Sequence, residues 1–502
     1  MNIVKQSVIG LLISISYLHS TTILVPGNYN SIQQAIDASA DGDSIAVSSG
    51  TYYEKINFNG KNIKVVGEGQ STTIIDGTAD GHGQVVIFES EEPTSTLLKN
   101  FTIQNGNAPE GGGILLSHYA NPVLQNLTIT NNQADNGGGI AIQSGSSPTL
   151  ININIVNNTC SNNGGGLNIN SGGSHVKIRN CTIENNTSNN QGGGLWSQES
   201  MLTVENSIVV NNISLSNQGG GFFVENAYPF VINNTEFESN QGQGLYINHG
   251  SGHRISNVIC SNNSDAGFFS HYTGPYQISN LNSFYNANGG MYLVGSSPLI
   301  SNSMIVNNQG SEPGIKCQSS SSPMIVNCTV ANNRLESNYQ DSGSEMIVVA
   351  ESHPLVENSI IWGSESQSHS VYLANWWGGE SSIKFNYSIL KGDQLGILND
   401  YESGVSWGEG NVEAVQDPLF ENINENNFNL LTSSPGIDWG NPANYHSDID
   451  GTRNDIGLQG GQGIFLYIRG QDPQTWNGQE IYETNLNDFY MGYAGVNRSS
   501  RL

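Results

Sequence analysis

The 502-residue sequence predicts an all-β fold, a single-stranded parallel β-helix (a solenoid) with a short N-terminal capping helix. Three observations point there. Glycine runs punctuate residues 111–314, and each is followed by a short apolar strand, a polar turn and a second strand holding an Asn. The block GGGLNINSGGSHVKIRNCTIENNTSNNQ, residues 164–191, is one instance. One Asn recurs from Asn100 through Asn126, Asn152, Asn180, Asn206 and onward to Asn386, at intervals of 22–31 residues. Only 12% of residues are charged while glycine supplies 60, so helix formers are scarce and Asn, Ser, Thr, Ile and Val dominate. That composition favours strands and turns. A repeat at this period means stacked coils, which lengthen without splitting into domains.

The N-terminus, MNIVKQSVIGLLISISYLHSTT, places Lys5 before an apolar stretch from Val8 to Leu18 and small residues at Ser20 and Thr21. This is the layout of a secretory signal peptide over residues 1–20. The apolar stretch is shorter than the ~20 residues a spanning helix needs. The expectation is an exported protein, secreted or held at the cell surface.

Residues 21–97 form an N-terminal cap and first coils. Ser31-Ile-Gln-Gln34 fits a capping box, so a helix starts at Ser31 with Ile32, Ala35 and Ile36 on one face. Short strands are expected at 44–47, 55–58 and 62–66. A helix with one apolar face can plug the open end of a solenoid and protect its edge.

Residues 98–416 form the repeats. The recurring Asn suits a tight corner, because Asn tolerates the left-handed backbone. Stacked amides can also hydrogen-bond along the axis. The glycines that precede each apolar strand, such as Gly194 and Gly221, mark a second sharp corner. Trp376-Trp377-Gly378-Gly379 reads as a loop leaving the rod. The five cysteines are odd in number and lack CxxC spacing, which suits buried free thiols, with one Cys317–Cys328 bridge as the alternative.

Three resemblances accompany this reading. IQQAIDASADGDSIAVSSGTYYEKI, GKNIKVVGEG and TTIIDG resemble the N-terminal cap of the pectate-lyase-like, right-handed parallel β-helix superfamily. This resemblance implies right-handed coils but not one activity, since the superfamily holds lyases, hydrolases, adhesins and inactive binders. The GGGI and GGGL blocks, over about Gly111 to Phe223, resemble repeats of the polymorphic outer-membrane-protein family of surface adhesins. Residues 417–461, from DPLF through SSPGID to DIDGTRNDIG, resemble the closing segment of choice-of-anchor β-helix proteins, which implies a C-terminal capping segment. The tail 462–502 is rich in Tyr and matches no sorting signal. The tail either packs on the rod or engages an anchoring partner at the cell surface.

Net charge is −27, from 43 acidic and 16 basic residues. No nucleic-acid partner is expected, because phosphate binding needs a basic surface. Side chains alternate along a strand. The residue after each corner glycine is placed inward and the next outward, so Trp196, Phe223, Tyr246, Phe269 and Tyr292 form an exposed aromatic column. Beside it runs a polar column that includes Gln198, Glu225, Asn248 and His271. Rings that meet C–H surfaces, next to amides and carboxylates that bond hydroxyls, suit a polysaccharide or surface glycan. The alternative is structural, since stacked aromatics stabilise neighbouring strands by ~0.2–1 kcal/mol per pair.

Three functions therefore stand open: glycan binding along this face, a polysaccharide lyase or glycoside hydrolase in the same groove, or a protein-binding surface adhesin. For catalysis the candidates are Glu225 and His271, with His249 and His253 nearby in coil space. Pectate lyases of the superfamily use Ca²⁺-binding acids and an Arg base. No Arg lies on these strands, and Arg254 falls in the following turn. Asp448, Asp450 and Asp455 offer hard oxygens at a spacing suited to Ca²⁺. The EF-hand spacing and its distal Glu are absent, which favours the alternative, an Asx-turn cluster closing the helix end. No other cofactor is expected.

Overall fold

The computed structural model describes residues 20–460, apart from 79–80, 337–342, 365–367, 376–378, 401–402, 413–416, 426, 444–447 and 449–451. The expected signal peptide, residues 376–378 of the expected loop excursion, Asp450 and the Tyr-rich tail lie outside the described residues.

Within them the chain is an all-β parallel solenoid. A 14-stranded sheet runs in strict sequence order, one strand per coil. Its strands pair in parallel and in register, for instance Leu167 with Leu195, Leu195 with Phe222, and Phe222 with Leu245. A second, larger sheet bends where each strand meets the recurring Asn, and a five-stranded third sheet covers one corner of the early coils. The inward column holds as expected: Ile140, Leu167, Leu195, Phe222, Leu245 and Phe268 are all fully buried in one continuous core.

The recurring Asn does adopt the left-handed conformation, with φ between 47° and 65° at each position from Asn100 to Asn358. At Asn386 the corner moves to Tyr387. Parts of this series form an amide ladder: Asn126 Nδ2 donates to Asn100 Oδ1 at 3.1 Å, and Asn152 Nδ2 to Asn126 Oδ1 at 3.1 Å. A second Asn row, set inside the wall, is more regular. Asn132, Asn158, Asn186, Asn212, Asn240, Asn263, Asn286, Asn308 and Asn333 are buried. Each of the first eight donates both its backbone N–H and its Nδ2 to the Oδ1 of the next, as Asn186 does to Asn212 at 3.0 Å in both bonds. Each Nδ2 also reaches a backbone carbonyl of the preceding coil, as Asn212 reaches Ile183 at 2.8 Å. Nearly every hydrogen-bonding site of these buried amides is thus met, as burial demands.

The corner glycines make room for this row. A Cβ on Gly290 would lie 2.7 Å from Asn308 Nδ2, and one on Gly194 would lie 2.7 Å from the Gly221 carbonyl oxygen. The first glycine of a triplet has a different reason: Gly192 sits at φ +65, where side chains are strained.

Helix Ile32–Ala38 closes the N-terminal end, with Ile32, Ala35 and Ile36 buried. Ser31 Oγ accepts the Gln34 N–H at 3.2 Å, and both oxygens of Glu54 accept the Ile32 and Gln33 N–H groups. The C-terminal segment packs along the flank of the late coils. Phe420, Phe428, Leu430 and Ile456 cover the outward residues Val306, Ala331, Ile360 and Ile389. There the outer Asn corners bond this segment rather than one another. Asn302 Nδ2 donates to the Gly460 carbonyl at 2.9 Å, Asn454 Nδ2 to Asn327 Oδ1 at 3.0 Å, and Asn441 N–H to Asn358 Oδ1 at 2.7 Å.

All five cysteines are free and buried. Burial pushes the Cys160 thiol up to about 12 and the Cys181 thiol up to about 11, which leaves them poor nucleophiles. Among the described residues no helix is long and apolar enough to cross a membrane.

Candidate functional site

The aromatic column is only partly open. Trp196 is 6% and Phe223 2% exposed, so the expectation that both are accessible is corrected. The cause is the loop that leads into each glycine corner. In the early coils it is long: residues 213–220 lie between Asn212 and Gly221. It carries the third-sheet strand and folds over the outward side chains. Gln191 Oε1 accepts the Trp196 indole N–H at 3.1 Å, and the Asn163 carbonyl accepts Asn168 Nδ2 at 3.2 Å. From Asn240 onward the loop shrinks, with only residues 241–243 before Gly244. The five-stranded third sheet ends with the strand Ile213–Ser214.

Where the cover stops, Tyr246, Phe269 and Tyr292 remain half-buried. Their ring centroids follow one another at 4.5 and 4.8 Å, with planes tilted by 46° and 74°. Each ring therefore leans on its neighbour. Tyr292 Oη donates to Gln318 Oε1 at 2.8 Å, and Lys316 Nζ lies 4.7 Å from the Tyr292 ring centre while bridging Glu312 at 2.8 Å.

Two polar rows flank these rings. On the strand side, Gln198, Glu225, Asn248 and His271 are half-exposed as expected. Asn248 Nδ2 donates to Glu225 Oε1 at 3.2 Å, which turns Asn248 Oδ1 toward His271 Nδ1 at 2.9 Å. The oxygen needs a donor, so His271 carries its proton on Nδ1 and keeps the lone pair on Nε2. Burial first, then His249, holds the His271 pKa below the ordinary histidine value. The imidazole is thus neutral near pH 7.

On the loop side runs a row not foreseen from sequence. Asp265 Oδ2 accepts Gln243 Nε2 at 2.5 Å, and its Oδ1 accepts Asn288 Nδ2 at 3.0 Å and the Ala266 N–H at 2.8 Å. Tyr246 lies between the rows. Burial, and then the charges of Glu225 and Asp265, raise its hydroxyl pKa. Tyr272 was also missed. It stands at a left-handed corner, 52% exposed, with its ring 4.6 Å from His271 and 6.0 Å from His249.

His253 does not join this group. It is fully buried, stacked on Phe230 at 4.0 Å, and burial pushes its pKa down to about 3. It belongs to the core. The C-terminal acids serve the backbone: Asp448 Oδ2 accepts the Asp455 N–H at 3.0 Å, and Asp455 Oδ1 accepts the Asp438 N–H at 2.8 Å. Among the described residues no group of three or more His, Cys, Asp or Glu is placed to hold a metal ion.

No curated protein matches the chain. Among solved structures, the periplasmic alginate epimerase AlgG is 13% identical over 62% of this chain and 78% of its own, with a TM-score of 0.45. Pectate lyase Pel9A is 14% identical over 88% and 96%, with a TM-score of 0.36. The PL6 family polysaccharide lyase Pedsa3628 from Pseudopedobacter saltans is 13% identical over 80% and 94%, with a TM-score of 0.42. A likeness at these identities concerns the fold alone. The family model described as a right handed beta helix region matches residues 14–183, 55–229, 179–309 and 207–376. These overlapping matches cover most of the chain, and together with the parallel coils they carry the conclusion that it belongs to the right-handed β-helix family.

Proposed function

We propose that the protein binds polysaccharide along the open part of the aromatic column, at Tyr246, Phe269 and Tyr292. One observation carries this reading: three half-buried rings lie between two rows of amides and carboxylates at the place where the third sheet stops covering that face. The rings supply apolar contact, and Glu225, Asn248, His271 and the tyrosine hydroxyls supply partners for sugar hydroxyls. The test is binding of a glycan panel by the purified chain and by Tyr246→Ala and Phe269→Ala. Equal binding by all three proteins would remove the strip from the account.

A second reading, catalysis in the same groove by a lyase or hydrolase, has its own supporting observation. The Glu225–Asn248–His271 relay fixes the His271 tautomer and leaves Nε2 as a base. Release of reducing ends or unsaturated products, abolished by His271→Ala, would establish it.

Export and display at the cell surface, with an anchoring partner on the 462–502 tail, fit the signal-peptide layout of residues 1–20. Fractionation of cells expressing the full chain tests this, and a cytoplasmic pool would contradict it. The adhesin reading predicts binding to protein-coated rather than glycan-coated surfaces.

A further inference from the structure

We infer that the strip selects glycans bearing protonated amines, accepts neutral ones more weakly and rejects uronate chains. This rests on the reading of the strip as a polysaccharide site.

The argument is one of charge placement. Glu225 lies on the strand paired to one side of the Tyr246 strand, Asp265 leads into the strand paired to the other side, and both carboxylates act on the Tyr246 hydroxyl. Their hydrogen bonds come from neutral amides, Asn248 on Glu225, and Gln243 and Asn288 on Asp265. Those bonds orient the carboxylates without cancelling their charge. Lys316, at the far end of the strip, is already committed to Glu312 at 2.8 Å. His271 is held neutral near pH 7 by burial and by His249. A sugar chain lying over Tyr246 and Phe269 therefore meets two negative groups.

An ammonium on the sugar would be attracted by both carboxylates. A uronate carboxylate would be repelled by both and would lose its hydration without gaining a cation. The net charge of −27 adds the same sign of field at longer range. The rings alone cannot discriminate among glycans, so the flanking carboxylates set the order.

The experiment is calorimetric titration of the full chain with three tetrasaccharides of equal length, made of glucosamine, N-acetylglucosamine or galacturonate. It is run at about pH 7, where His271 is neutral, and at physiological salt. The expected order is glucosamine, then N-acetylglucosamine by about fivefold, with galacturonate weakest. Glu225→Gln, which keeps shape and acceptor, and Asp265→Asn should each remove up to about fivefold from the glucosamine arm alone, the scale of an exposed ion pair. Galacturonate binding as well as or better than N-acetylglucosamine would overturn the inference and leave the glycan site standing. A glucosamine preference that survives the double variant Glu225→Gln/Asp265→Asn would also overturn it, because the attraction would then belong to the whole acidic chain. Binding of no oligomer would remove both the site and its selectivity.

Discussion

Asn333 Nδ2 donates to Glu345 Oε2 at 2.5 Å, so the buried row of asparagine amides ends on a carboxyl group with no exposed surface. The Asn333 backbone N–H reaches the same oxygen at 3.2 Å, and Ser344 Oγ donates to Oε1 at 3.0 Å. Burial outweighs these donors and pushes the Glu345 pKa up to about 8. A raised acid pKa means that the folded chain holds a proton that the unfolded chain has released. The stabilising contribution is complete below the ordinary glutamate value of about 4.5. It is lost as pH rises from there through about 8, by at most ~1.4 kcal/mol per pH unit. Glu345→Gln keeps the acceptor for Asn333 and removes the titration. Melting temperatures taken from pH 5 to 9 should fall more steeply for the wild type than for this variant. Parallel curves would show that Glu345 titrates alike in both states.

The two Asn rows should respond differently to substitution. Asn212 Oδ1 accepts two bonds from Asn186, from its backbone N–H and its Nδ2. Asn212→Leu strands both donors inside the wall and should cost ~3 kcal/mol or more, at 1–3 kcal/mol per orphaned buried group. Asn206 stands at the exposed corner with φ 51 and accepts Asn234 Nδ2 at 2.7 Å. Asn206→Ala retains water as a partner there and should cost about 1–2 kcal/mol, chiefly for the left-handed backbone. Urea unfolding of both variants measures the difference.

Glycines separate in the same way. A Cβ on Gly194 would meet the Gly221 carbonyl at 2.7 Å and the Asn212 side chain at 3.2 Å, while one on Gly172 would meet nothing within 4 Å. Gly194→Ala should cost about 2 kcal/mol or more, because neither backbone nor amide row can give way. Gly172→Ala should be neutral or stabilising by up to ~1 kcal/mol, through reduced freedom of the unfolded chain. Thermal unfolding of the pair tests whether the triplet glycines answer to packing or only to turn geometry.

These contrasts mark what could be read from the sequence. The corner Asn and the inward column were legible because strand alternation and the left-handed tolerance of Asn are local properties. The Asn-Asn pairs were visible too, but adjacent letters do not tell which amide faces the wall. Sequence alone therefore points to ladder bonding in the corner series, from Asn100 on, whereas Asn132, Asn158 and their successors carry the regular ladder. The polar row through Glu225, Asn248 and His271 followed from alternation. Asp265 did not, because it lies on the loop rather than the strand. Exposure of the aromatic column depends on loop cover, and the short loop between Asn240 and Gly244 is the signal of where the cover ends.

That signal yields a separation of roles within the column. Trp196 is nearly buried and tied to Gln191 at 3.1 Å, and the Phe223 and Tyr246 ring centroids lie 4.7 Å apart. Trp196→Ala removes a large packed side chain and should cost ~3 kcal/mol or more. Any glycan affinity that remains in the folded fraction should be close to wild type. Tyr246→Ala removes a half-buried ring at the open end and should cost less stability, yet lower glycan affinity about tenfold or more, the scale of 1.4 kcal/mol of lost contact. Melting temperature and calorimetric affinity, measured on both variants, give the comparison. If Trp196→Ala loses binding as fully as Tyr246→Ala while staying folded, then the loop over Trp196 opens in solution and the site extends into the early coils. If neither variant changes affinity, ligand does not bind on this face.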